Sequence, residues 1–268
     1  DDPKVFDLLA SGRTAAVFQL ESTGMRELIR RLKPSKFEEI VALLALYRPG
    51  PLESGMHDEF VDRKHGKSKV TFPHELLEPV LSETYGVILY QEQVMQIAQI
   101  ISGFSPGEAD LLRRAMGKKK RAELERQKER FVSGAIKNNI KKDLANYIFT
   151  KIEPFAEYGF NKSHAAAYAL IAYQTAYLKH YHKEDFIAAT MNTEISNTDK
   201  LREFVEELKR LNIEVIRPCI NECYADFKPF KNKILYALSG IKSVGREAIS
   251  GVINERKKNG PFKSINDF

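Results

Sequence analysis

Apolar side chains recur every three to four residues in short runs punctuated by Gly, Pro and Asn, a periodicity that predicts a mostly helical protein. Residues 3–10 read as a first helix stopped by Ser11-Gly12. AVFQL (16–20) is a short apolar run, strand-like or a buried turn, that leads into a helix through Arg31. Ser35, with Glu38 three residues later, signals a capped helix through Leu46. Ile40, Val41, Leu43, Leu44 and Leu46 make that helix apolar nearly all round, so it belongs in the interior. Arg48 precedes a proline and is pushed out of the helical region, ending the helix in a loop made rigid by prolines and glycines, YRPGPLESG. Residues 57–75 are polar and basic, a surface excursion. YGVILY (85–90) reads as a strand or buried extended segment. Gln91 begins a helix with a stripe of Val94, Ile97, Ala98 and Ile101, ended by Gly103.

Residues 105–120, SPGEADLLRRAMGKKK, carry strong local signals. Ser105 is a good N-cap, Pro106 suits the first helical position and Glu108 completes a capping box. Leu111, Leu112, Ala115 and Met116 form an apolar face, which holds Arg113 and Arg114 at fixed angles. Two readings stand side by side. Arginine forks held this way suit bidentate phosphate binding. A solvated surface helix with an Asp110–Arg114 ion pair explains the same residues. A charged helical span follows from Arg121 to Lys137, then helices at 144–152 and 161–182. Asn197 or Thr198 caps a helix with Leu201, Phe204, Val205, Leu208 and Leu211 on one face. The pattern then changes: residues 213–216 and 234–238 read as strands, with Lys231-Asn232 turning between extended segments. The fold class expected is mostly α, a multi-helical domain followed by a small α+β segment.

Three constellations bear on chemistry. LSGIKSVGREAISGVI (238–253) fits a helix-hairpin-helix, with Ile241, Val244, Gly245, Ala248 and Ile249 in the key places. A glycine turn at a helix N-terminus offers backbone N–H groups to a DNA phosphate, and Lys242 and Arg246 add charge; Ser243 lies in the same turn. A purely structural αα-hairpin uses the same pattern. FNKSHAAAY (160–168) gathers Asn161, Lys162, Ser163 and His164 at a helix start, with Tyr168 one turn on. That set makes an anion site with a stacking tyrosine, or a capped helix with a hydrogen-bonded histidine. Arg48 is displayed by the 47–55 loop, which serves equally as a structural corner.

Composition changes the picture modestly. With 42 Lys and Arg against 36 Asp and Glu, the net charge of +6 leans toward an anionic partner. Cys219 and Cys223 fit no common zinc framework and point to a structural, reduced, intracellular pair. No window is apolar enough to span a membrane and no secretory signal opens the chain. DDPKVFDLLASG at the start and Phe268 at the end read as a piece excised from a larger cytoplasmic protein. Two-metal nucleotidyl transfer needs converging carboxylates, and no Asp-x-Asp pair lies in an apolar strand. Asp58 and Asp62 sit in a basic stretch, and Glu92 in a helix-start Gln-Glu-Gln. The residues therefore point to a chain that binds a triphosphate or DNA backbone without the catalytic metals.

VFQLESTGM (17–25), ALYRPGPLESGM (45–56), DRKHG (62–66), ETYGVILYQEQVMQIAQ (83–99), EADLLRRAMGKKK (108–120), YGFNKSHAAAYALIAYQTAYLK (158–179) and ALSGIKSVG (237–245) resemble, in order, the fingers region of the C-family bacterial replicative DNA polymerases, the DNA polymerase III alpha subunits. The resemblance implies a fingers domain at 1–200 on the nucleotide side, and at 201–268 the remainder of the fingers with short strands and the helix-hairpin-helix. It implies that Arg113 and Arg114 contact the incoming triphosphate and that Lys162, His164 and Tyr168 lie near the nucleotide, with Asn161 and Arg48 beside them. It implies DNA-backbone contacts from Lys242, Ser243, Val244, Gly245 and Arg246, and from Lys118, Lys119 and Lys120 if that run is more than a solvated surface. Mg2+ would be held by palm aspartates outside this chain, leaving the fragment inactive alone. Expected partners are DNA primer-template, dNTP and, for the full-length protein, the sliding clamp and other replisome subunits. A non-catalytic helix-hairpin-helix DNA-binding scaffold is the competing reading, and an error-prone paralogue would share these fingers.

Overall fold

The computed structural model describes residues 1–117, 121–153 and 159–268. Helices dominate them, joined by one small sheet, so the chain is mostly α with a short α+β segment. It divides into two compact units, residues 1–12 with 23–173 and residues 13–22 with 174–268. The change of pattern and the resemblance place a division at 200/201; packing divides the chain within a long helix. No helix among the described residues is long and apolar enough to cross a membrane.

The first unit opens with α1 (Pro3–Ala10), α2 (Thr23–Leu32) and α3 (Phe37–Leu46). α3 is buried as expected, but its cap differs. Lys36 is the N-cap residue, and Ser35 donates from both its backbone N–H and its hydroxyl to Glu39, not Glu38. Glu39 is itself buried, because Lys64 (2.7 Å) and the Tyr85 hydroxyl (2.5 Å) also donate to it. Arg48 is extended (φ −146°, ψ 156°), as its position before a proline requires. The following loop is instead a short helix, α4 (Pro49–Glu53), and the polar stretch after it begins with α5 (Met56–Lys64). α5 forms because Met56, Phe60 and Val61 are buried at helical spacing inside an otherwise polar sequence.

After α6 (Glu78–Leu81), residues 87–90 run extended and buried. The Gln93 side chain holds that run: its Oε1 accepts from the N–H groups of Leu89 and Tyr90, and its Nε2 donates to Thr84 and Val80. α7 (Gln91–Ser102), α8 (Pro106–Gly117), α9 (Arg121–Lys137) and α10 (Lys142–Ile152) enclose one core, in which Phe131 stacks edge-on to Phe104 and Phe149. The α7–α9 approach is tight at Gly134, where an added Cβ would lie 2.2 Å from the Ser102 carbonyl oxygen.

α11 (Lys162–Tyr181) passes from the first unit into the second, where α12 (Lys183–Thr193) and α13 (Thr198–Arg210) follow. Asn197 caps α13 by accepting from the Lys200 N–H. AVFQL is the buried turn of the two readings, not a strand: Ala16 and Gln19 have positive φ, and Val17 and Leu20 are fully buried. Lys179, buried in α11, donates to Glu207 of α13 (2.6 Å) and to the Ala15 carbonyl (2.8 Å), pinning this turn in the second unit. The sheet has order β1-β3-β2, with β1 (Glu214–Ile216) parallel and β2 (Lys228–Phe230) antiparallel to β3 (Lys233–Leu235). Lys231 and Asn232, both at positive φ, close the β2–β3 hairpin. A 3-10 turn (Leu238–Gly240) and α14 (Arg246–Asn259) complete the unit. Cys219 and Cys223 are both free, and burial pushes the Cys223 thiol pKa up.

Candidate functional site

α8 begins with the capping box foreseen: Ser105 N–H donates to Glu108 Oε2 (2.9 Å) and Glu108 N–H to Ser105 Oγ (3.4 Å). Ala109, Leu112, Ala115 and Met116 are buried, whereas Leu111 is 54% exposed; the buried face is narrower than the sequence implied. The Asp110–Arg114 ion pair of the surface-helix reading is present, and Asp110 holds Arg113 as well. Asp110 accepts from Arg113 Nε (2.9 Å) and Nη2 (2.7 Å) through one oxygen and pairs with Arg114 Nε (2.8 Å) through the other. The Arg113 bond, with charge from both guanidiniums, outweighs desolvation and holds the Asp110 carboxyl below the usual range. One carboxylate thus fixes two adjacent guanidiniums, Arg113 partly buried and Arg114 open to solvent.

Arg113 also reaches α7, donating from Nη1 to Gln91 Oε1 (3.3 Å). The Gln91 N–H in turn donates to the Phe160 carbonyl, and the Phe160 N–H to Leu89, so a short parallel bridge brings residue 160 against the start of α7. Gln91, Phe160 and Asn161 join Arg48, Pro49 and Pro51 around an open cleft of about 780 Å³. The Arg48 guanidinium carbon lies 3.6 Å from the Phe160 ring centre, and burial draws its pKa down. The column continues: Phe160 meets His164 edge-on (5.4 Å), and His164 meets Tyr168 (4.3 Å). His164 and Tyr168 therefore share a face, as their spacing requires.

Asn161 heads α11, its side-chain oxygen accepting from the His164 N–H (2.8 Å) and the Ser163 hydroxyl (2.6 Å). Lys162 is held twice, by its N–H to the Glu92 carboxylate (3.0 and 3.1 Å) and by its Nζ to Glu83 (2.7 Å). Arg48, Arg113, Asn161, Lys162, His164 and Tyr168 are thus linked through α7. Sequence reasoning gave no role to Gln91, Phe160 or Glu83. Gln91 and Glu92 stood only as the Gln-Glu-Gln helix start and Phe160 only as the head of FNKSHAAAY, because the parallel bridge that brings them together joins residues distant in sequence. No three His, Cys, Asp or Glu side chains gather as a metal site among the described residues. Asp110, Glu83 and Glu92 are instead committed to arginine, lysine and backbone N–H donors, so this set does not fit a divalent-metal pair.

In the second unit, Lys242, Ser243, Gly245 and Arg246 are exposed at the turn before α14 and Val244 is half-buried. The positive φ of that turn falls on Ser243 (φ 68°), not on Gly245, which is extended at the N-cap (φ −78°). Gly245 contributes by lacking a side chain: its absent Cβ faces open space, and no side chain caps α14. The first-turn N–H groups are left to an external acceptor. Arg246 is bound in both arms to Asp226 (2.6 Å each). The helix before the turn is reduced to the 3-10 turn Leu238–Gly240. Lys118, Lys119 and Lys120 lie outside the described residues.

The profile of the bacterial DNA polymerase III alpha subunit finger domain matches residues 1–139, more than half the chain. This chain belongs to that family. A helix-hairpin-helix profile matches residues 212–268. The chain is 53% identical over 268 residues to the DNA polymerase III subunit alpha of Caulobacter vibrioides and 50% over 274 residues to that of Escherichia coli strain K12. It is 48% identical over 273 residues to that of Thermus aquaticus. Each alignment covers 100% of this chain and 22–24% of the relative, so the chain spans about a quarter of the length of these curated relatives. The fingers profile covers α8 and its arginine pair, the helix-hairpin-helix profile covers the sheet and α14, and α11 falls between the two.

Proposed function

We propose that this chain is the part of a DNA-directed DNA polymerase that holds the incoming dNTP and the DNA backbone, while carboxylates elsewhere in the polypeptide bind Mg2+. The observation that carries this reading is the Asp110-clamped arginine pair, tied through Gln91 to the cleft of Arg48 and Phe160, in a chain of the polymerase III alpha family. Arg113 gives three N–H groups to Asp110 and Gln91, which leaves two of its five for a phosphate; Arg114 keeps its terminal nitrogens open to solvent. Guanidiniums already oriented neutralise charge on the triphosphate without reorganising when it develops. Phe160, His164 and Tyr168 supply ring faces beside that charge, and Lys162 adds a cation. In this reading residues 1–200 serve the nucleotide and residues 201–268 the DNA backbone, through Lys242, Ser243, Val244, Gly245 and Arg246. Primer-template, sliding clamp and replisome subunits are partners of the full-length, cytoplasmic protein.

In the full-length enzyme, Arg113→Ala is expected to raise the dNTP KM or lower kcat far more than it weakens DNA binding. An unchanged dNTP dependence overturns the assignment. The helix-hairpin-helix match also supports a non-catalytic DNA-binding scaffold; under it, the full-length protein binds duplex and dNTP has no effect.

A further inference from the structure

The sheet of the second unit has a face that the hairpin helix covers at one end only. Its register sets Glu214, Lys233 and Phe230 across from one another in one row, and Ile216, Leu235 and Lys228 in the next. The opposite face is committed: Ile234 is fully buried among Ile187, Phe204 and Leu208. On the open face, Leu235 is covered by Leu238, Ile249 and Ile253, but the other end is bare, and Phe230 is 52% exposed. A cleft of about 630 Å³ lies there, walled by Tyr224. Each of its aromatic rings has an ammonium group beside it. Lys228 Nζ is 4.5 Å from the Tyr224 ring centre, and Lys231 Nζ is 5.1 Å from that of Phe230. Arg256 adds a guanidinium 5.1 Å from Tyr224. The acidic groups are Glu214, which is paired with Lys233 (2.7 Å), and Glu222 at the margin.

Lysines on an edge strand keep sheets from pairing edge to edge. They do not account for a half-exposed phenylalanine beside a tyrosine-walled cleft. Ring faces interleaved with ammonium groups on a small sheet match a single nucleic-acid strand, whose unstacked bases lie on the rings while phosphates meet the cations; a duplex offers no free base faces. We propose that the cleft of Tyr224, Lys228, Phe230 and Lys231 binds single-stranded DNA, with a base stacked on Phe230 and phosphates on Lys228 and Lys231. That the strand is DNA rests on the polymerase reading above; the stacking platform does not. The same loop carries Asp226, which holds Arg246 at the head of α14, so the single strand would run on from the duplex backbone at the hairpin.

The chain contains no tryptophan, so Phe230→Trp introduces a single reporter at the platform. Titration with an oligo-dT of about 16 nucleotides is expected to quench its fluorescence saturably; no quenching at saturation overturns the proposal. By fluorescence anisotropy, Phe230→Ala is expected to weaken oligo-dT binding about tenfold or more while leaving a blunt duplex of the same length unaffected. Replacing Lys228 and Lys231 together by Ala should flatten the log–log salt slope for oligo-dT by about 1.4. Lys242→Glu should give the reverse pattern, weakening duplex alone, so a failed hairpin reading leaves the platform standing. An unchanged oligo-dT affinity in Phe230→Ala, or an equal loss on single strand and duplex, overturns the proposal.

Discussion

The Arg48 guanidinium lies flat enough on Phe160 for its carbon to sit 3.6 Å from the ring centre, and this contact closes one wall of the cleft beside Gln91 and Asn161. A cation–π pair of this kind contributes about 0.5–2 kcal/mol. Arg48→Ala should therefore lower thermal stability slightly and raise the dNTP KM of the full-length enzyme. Arg48→Lys should recover little, because the compact ammonium neither stacks nor forks. Steady-state kinetics with both variants checks this, and full recovery in Arg48→Lys would show that charge alone matters.

Asp110 orients both arginines. Asp110→Asn keeps the shape of the side chain but removes the charge that holds two guanidiniums. The melting temperature should barely move, since the pair is solvent-screened. The dNTP KM should rise by about tenfold, the scale of one charge-assisted hydrogen bond. A variant with wild-type KM would reduce Asp110 to a surface partner.

Glu39 makes stability depend on pH. Burial alone would raise its pKa, but bonds from Lys64, Tyr85 and Ser35 outweigh that and hold it below 4.5. Burial draws Lys64 down as well, so the carboxylate is the side of the pair that gains. A carboxylate whose folded pKa is depressed contributes stability above its unfolded value, and loses it as pH falls through the folded one. The melting temperature should drop below about pH 4.5, and Glu39→Gln should flatten that drop while lowering the melting temperature near neutrality, because half-buried Lys64 loses its carboxylate and keeps only the Lys33 carbonyl. Differential scanning calorimetry across pH tests both parts.

Gly134→Ala probes the α7–α9 crossing. The new methyl would meet the Ser102 carbonyl at 2.2 Å, and neither backbone can yield without moving its helix. The expected cost is about 1–3 kcal/mol despite the better helix propensity of alanine. Gly251→Ala, a helical glycine whose added Cβ meets nothing, should be neutral or mildly stabilising, and the two melting temperatures should separate accordingly.

The α14 turn should bind without regard to sequence. Lys242→Glu should weaken duplex binding equally on unrelated sequences and reduce the steepness of the salt dependence by about 0.9 for each phosphate no longer neutralised. A salt slope equal to the parent's would remove the turn from the DNA-binding surface. Arg246→Glu also breaks the Asp226 clamp, but that pair is solvent-screened like the one at Asp110, so neither substitution should move the melting temperature much.

Local signals carried most of the helical architecture. α1 stops at Ser11-Gly12, α7 ends on a left-handed Gly103, and α8 starts at the Ser105–Glu108 capping box, all features acting within one turn of helix. The same local reading misjudged α5, whose three buried residues are sparse among charges, and set Leu111 on a buried face that the neighbouring helices do not cover. It placed a glycine turn at the head of α14, where Gly245 is the N-cap, but carried no signal that Ser243 takes the positive φ.

By itself the sequence determined which segments are helical, that the basic residues fall in a few ordered strings, and which family those strings resemble. The tertiary structure alone decided which residues meet. Arg113 reaches Gln91 because α8 packs against α7, and Phe160 lies beside the start of α7 because a parallel bridge to Tyr90 joins segments far apart in the chain. Hydrogen bonds and packing across such distances leave no periodicity in sequence. Capping and amphipathic spacing act over three or four residues and do.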